Sequence, residues 1–88
     1  MAAIHFPQRP PAYTNNTTVA FSAIVDGAEI TAEISEEALL DNFGALNNSP
    51  ASLLEAFKRH RHAIEAVARI KLPNRIAAGR PLLVSTDF

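Results

Sequence analysis

The chain has no cysteine and no tryptophan, and only three glycines among its 88 residues. Lacking cysteine, it has no disulfide scaffold, thiolate zinc site, iron–sulfur cluster or cysteine nucleophile. Three glycines could hardly build a phosphate-cradling loop, and neither the P-loop nor the G-x-G-x-x-G pattern is present. The formal net charge of −1 is too small to steer the whole molecule toward nucleic acid or a membrane. No window approaches the roughly 20 apolar residues of a membrane helix. Residues 1–7, M-A-A-I-H-F-P, lack the basic region and long apolar run of a secretory signal. The expectation is a cytoplasmic protein with no membrane partner. The length allows one domain, spanning 1–88. A chain of this mass buries roughly 60–65% of its unfolded surface, enough for one thin core without metal or disulfide.

What is present begins with a hairpin. Asp26-Gly27 is a type I′ turn signal between two β-like runs, over residues 17–34. With Val25 and Ala28 flanking the turn, Ala23 faces Ile30, Phe21 faces Ala32 and Val19 faces Ile34, all apolar. The opposite face pairs Ile24 with Glu29, Ser22 with Thr31 and Ala20 with Glu33. A slip of one residue would carry Glu29 and Glu33 into the core, which fixes the register. Before the hairpin, residues 1–16 read as a short strand at Ile4-His5-Phe6 and an extended arm stiffened by Pro7, Pro10 and Pro11.

Ser35 then reads as an N-cap, with Glu36 and Glu37 on the first turn of a short helix over 35–44, closed by Gly44. Ser49-Pro50 opens a long helix over 49–72, which Pro73 is expected to stop. Its apolar stripe is Leu53, Leu54, Phe57, Ile64, Val67 and Ala68. A last strand follows over 81–86. The expected fold is α+β, in the order β-β-β-α-α-β. A small, mainly antiparallel sheet of three or four strands would carry one short and one long helix.

The pieces Val19-x-Phe21-x-Ala23 with Gly27, Ile34-Ser35-x-x-Ala38-Leu39 and Phe57-x-x-His60-Arg61-x-x-Ile64-Glu65 stand in that order. With the opening Ile4-x-Phe6 and the ending Leu82-Leu83-Val84-Ser85-Thr86-Asp87-Phe88, they resemble the bacterial domain of unknown function 1488 family. The resemblance covers nearly the whole chain. It implies a small, single-domain, cytoplasmic bacterial protein and carries no catalytic residue across. Where this chain has Ala32, many members of the family carry Cys, so the resemblance transfers no thiol role here.

Charge is unevenly placed. Residues 1–44 hold one Arg against six acids, and residues 45–88 hold seven Lys or Arg against three acids. The densest run is Lys58-Arg59-His60-Arg61-His62. Lys58, Arg59, His60, Arg61, Arg69 and Arg80 are candidate anion- or ligand-binding residues. On one straight helix, however, five consecutive residues encircle the axis and form no single stripe. No aromatic beside them is free for base stacking, since Phe57 lies on the core stripe. Arg61 and His60 lie at the edge of that stripe, where Arg61 suits a clamp to Glu65, to an acid of the N-terminal half such as Asp41, or to a helix-end carbonyl. His60 and His62 stand about 200° apart on a helix and cannot chelate one ion together, so no metal is expected. Glu29 and Glu33 suit acid–base work by spacing but suit a solvated sheet face better. No serine lies in a G-x-S-x-G context. The expectation is therefore a non-enzymatic protein-interaction or regulatory module without cofactor, with a second copy of the chain as one candidate partner. The alternative is an anion or nucleic-acid binder using the basic face of the long helix.

Overall fold

The computed structural model describes residues 3–79 and 81–88. The expected hairpin forms β3 (Thr18–Val25) and β4 (Ala28–Ser35) with the register read from the sequence, from Thr18 opposite Ser35 to Val25 opposite Ala28. Asp26 and Gly27 both take positive φ, 51° and 87°, as the tight primed turn requires. The apolar pairs point to one side, and Val19, Phe21, Ala23, Ala32 and Ile34 are buried there.

Two short strands lie end to end on the free edge of β3. β1 (Ile4–His5) pairs near the turn, and β2 (Ala12–Tyr13) pairs with Val19 and Ala20. The proline-rich arm runs between them and supplies no ladder of its own. β2 was not expected, because two residues are too few to show an alternation.

Ser35 and Ser49 cap as expected. The Ser35 hydroxyl accepts from the Ala38 N–H (3.2 Å) at the start of α1 (Glu36–Asn42), and Ser49 accepts from the Ser52 N–H (3.3 Å) at the start of α2 (Pro50–Arg59). Gly44, at φ +71°, follows the Phe43 cap that closes α1.

The long helix over 49–72 needs correction twice. It breaks at His60 (φ −114°, ψ 22°), so that α2 ends at Arg59 and α3 spans Arg61–Ala77. It also continues through Pro73. Leu72 is buried, Ile76 packs on the core, and Arg75 is tied to the C-terminal segment, so tertiary contacts hold the last turn against the missing proline N–H.

The last strand is shorter than the expected 81–86. Only β5 (Leu82–Leu83) pairs, with Glu33 and Ile34 of β4, and Ser85–Asp87 forms a 3-10 turn. The pairing is parallel, because the chain leaves β4, crosses one face of the sheet as helices and returns along the other edge. Among the described residues the fold is thus α+β with a mixed sheet of five strands and three α-helices, in place of a mainly antiparallel sheet of three or four strands with two.

One core fills the space between sheet and helices. Leu39, Leu53, Phe57, Ile64, Ala68 and Leu72 cover the inner sheet face, and Leu83 closes the edge. Phe57 stacks on Phe21 at 5.2 Å between ring centroids, and Phe6 on Phe21 at 6.2 Å.

Candidate functional site

The break at His60 makes the site. The backbone ladder stops at the His60 N–H, which donates to the Ala56 carbonyl (3.1 Å), and restarts at Ile64, which donates to the His60 carbonyl (3.0 Å). α2 ends here with Lys58 and Arg59 in its last turn, where cations suit the negative end of the helix dipole. α3 begins with no acidic residue in its first turn and no side chain accepting from its N–H groups. A 17-residue helix therefore presents its positive end uncapped, beside basic side chains.

Gln8, Lys58, Arg59, His60, Arg61 and His62 line a hollow of about 350 Å³ at this junction. Consecutive residues would have encircled a straight helix; the break lets them border one concavity. Lys58, Arg59 and His62 are exposed, and His60 is half-buried with its ring 5.4 Å from that of Phe43. Arg59 makes one loose contact, at 3.3 Å, with the exposed Glu55 carboxylate.

Arg61 is committed elsewhere. Its Nε donates to Glu65 Oε2 (3.0 Å), its Nη1 to the Arg9 carbonyl (2.9 Å) and its Nη2 to the Pro7 carbonyl (3.2 Å). Its guanidinium also lies over the Phe57 ring at 5.3 Å. Gln8 Nε2 donates to the same Glu65 oxygen (3.1 Å). Of the three partners open to Arg61 from the sequence, Glu65 is the one used. The carbonyls it meets belong to the N-terminal arm, and Asp41 is not a partner. Arg61 therefore pins the arm and forms one wall of the hollow without offering a free charge.

Arg69 stands over Phe6 at 5.4 Å and does not line the hollow. Arg80 lies outside the described residues. The structure thus brings Lys58, Arg59, His60 and Arg61 together and sets Arg69 apart. His62 and Gln8 join them, and Gln8 gave no local signal because the fold brings it from the arm, more than fifty residues away.

A second linkage secures the C-terminal segment. Asp87 receives both terminal nitrogens of Arg75, one at 2.6 Å, and the Val84 N–H at 2.7 Å, while Arg75 also donates to the Leu82 carbonyl (3.0 Å). The Arg75 hydrogen bonds hold the Asp87 carboxyl below the usual carboxylate range and raise Arg75, outweighing the opposing effect of burial. Phe88 then packs edge-on against Phe43 at 4.9 Å.

Among the described residues, no group of three or more His, Asp or Glu side chains is arranged to hold a metal ion. None of the helices is long and apolar enough to cross a membrane. The large apolar side chains most exposed are Leu46, Ile70 and Val84.

The fold and site describe a small α+β protein, helices on one sheet face, with a basic hollow and no nucleophile–base pair assembled there. The chain belongs to the DUF1488 family, a protein family of unknown function, whose model matches residues 4–80. It is 36% identical over 66 residues to the uncharacterized protein YrdB of Escherichia coli (strain K12), an alignment covering 75% of each chain. The YrdB of Shigella flexneri matches equally. No solved structure matches significantly.

Proposed function

We propose that the protein is a non-enzymatic interaction module that holds an acidic segment of a partner protein at the junction of α2 and α3. The observation that carries this reading is the basic hollow at the uncapped start of α3. The negative end of α2 accounts for Lys58 and Arg59 as structural residues. It does not account for a long helix that starts without acid or cap and faces those same cations.

A protein segment fits better than a nucleic acid. The hollow is local, sized for one or two anionic groups, and no Phe, Tyr or Trp ring lines it. A polyanion needs a longer basic track, and Arg69 stands apart from this one.

The test is an amide-resolved NMR titration of the ¹⁵N-labelled chain with a 12-residue Glu- and Asp-rich peptide. Expected are shifts at Arg61, His62 and Ala63, suppressed by salt and by the double substitution Lys58→Ala/Arg59→Ala. Shifts centred away from the junction would overturn the reading. Tighter binding of a 12-nucleotide single strand than of the peptide would replace it with nucleic-acid recognition.

A further inference from the structure

We infer that the acidic segment held at the junction also carries a large apolar side chain, seated in an adjoining hollow on α2 about two to three residues from the acidic group. This inference rests on the junction reading above. The second hollow, about 320 Å³, is bordered by Phe43, Ala45, Leu46, Ala51, Ala56 and Arg59. It lies along the exposed side of α2 and reaches Arg59, which borders both hollows, so the two are neighbours.

Three observations define the occupant. The first is Leu46, 91% exposed in the loop before α2 and standing at the rim of this hollow. A single exposed leucine is ordinary; one placed over a concavity floored by Phe43 and Ala56 offers an apolar ligand group a second wall. The second is charge. Glu55 also borders this hollow, but its carboxylate is matched by Arg59 at 3.3 Å. An acidic group is therefore directed past Arg59 toward Lys58 and His62, and the α2 hollow is left to apolar contact. The third is reach. About five helical residues separate the middle of the α2 hollow from the junction, roughly 7 Å of axial rise, which an extended peptide covers in about two to three residues. The partner is thus an extended segment pairing one Leu- or Phe-sized residue with an acidic one, its specificity drawn from both.

Fluorescence anisotropy with labelled 12-residue peptides separates the two readings. One series carries a Glu-Asp pair with a single Leu two, three or four residues away, and a control replaces that Leu by Ala. We expect the best Leu peptide to bind about fivefold more tightly than the control, a share of the full worth of a buried leucine. Leu46→Ser should weaken the Leu peptide about threefold and leave the Ala control unchanged. Lys58→Ala should weaken both peptides alike. If Leu and Ala peptides bind equally while Lys58→Ala weakens each, the apolar anchor is refuted and the junction reading stands. If Leu46→Ser weakens both equally, the anchor is likewise refuted. If no peptide binds, both readings fall together.

Discussion

Replacing Arg61 by Ala tests whether this residue is a structural clamp or a charge free for a ligand. Its side chain is 12% exposed and that of Glu65 is 11% exposed, so the pair sits close to the buried limit. The substitution removes three hydrogen bonds and leaves the Glu65 carboxylate with Gln8 alone. Hydrogen bonds to charged groups contribute about 1.5–3 kcal/mol, and breaking one side of a buried pair costs about 3–5 kcal/mol. These figures overlap and do not add, so the expected loss is about 3 kcal/mol. For a chain of this size, urea unfolding should show a midpoint lower by about 2–3 M, or a melting temperature lower by more than about 10 °C. Two further variants sharpen the result. Arg59→Ala removes a pair that is 66% and 64% exposed and should cost less than about 0.5 kcal/mol. Arg61→Ala/Glu65→Leu removes the stranded carboxylate and should recover at least about half of the loss. A cost for Arg61→Ala no larger than that of Arg59→Ala would refute the clamp and return Arg61 to the ligand-binding set.

Two other changes follow from named contacts. Asp87→Asn should lower stability at pH 7 by about 1–2 kcal/mol, since it removes the charge that Arg75 holds. The Asp87 carboxyl is depressed in the folded state, so its contribution is complete above about pH 5 and is lost as pH falls below the ordinary carboxylate range of about 4. Unfolding curves from pH 7 to 2.5 should therefore converge for parent and Asp87→Asn at the acid end, and parallel curves would sink the idea. Pro73→Ala should raise stability by about 1 kcal/mol, because a helix-interior proline costs about 3 kcal/mol and the half-buried ring returns only part of that through packing. A drop in urea midpoint would show that the ring contacts outweigh the restored hydrogen bond.

The hairpin was legible because two independent constraints agree at Asp26-Gly27, the turn chemistry and the alternation on both flanks. The caps at Ser35 and Ser49 were legible for a similar reason, since each stands three residues before the amide it serves. The break at His60 was not. Phe57 and Ile64 are seven residues apart, a spacing that keeps the stripe aligned whether the helix is continuous or interrupted, and no Gly or Pro marks the position. The passage through Pro73 was hidden because local preference ends a helix there, while contacts that Arg75 and Ile76 make outside the helix sustain it. Parallel pairing at β5 depends on the path of the intervening helices and has no local signature. The candidate site shares this history. Its cations were visible as a run, but their convergence follows from the one break that periodicity cannot detect.

The fold also groups the charges by element. Glu33 lies on the outer sheet face, Glu29 is paired with Arg9 at 2.9 Å, and Glu36, Glu37 and Asp41 stand on α1, while Lys58, Arg59, Arg69 and Lys71 belong to α2 and α3. Arg61 and Arg75 are matched by Glu65 and Asp87, so their charges contribute little at long range. A near-neutral chain therefore presents a local positive field around α2 and α3, which favours the approach of an acidic segment there over the α1 and hairpin end. Attraction of this kind acts on encounter and is screened by salt over about 8 Å at physiological ionic strength. Seating of an apolar residue beside Leu46 and Phe43 acts on departure and responds weakly to salt. For the two-part ligand, rising salt should slow association and leave dissociation of the apolar anchor nearly unchanged. For a ligand held by the junction alone, salt should also speed dissociation. Stopped-flow measurement of both rates at about 50 and 300 mM salt distinguishes steering by the cations of α2 and α3 from retention by the α2 hollow.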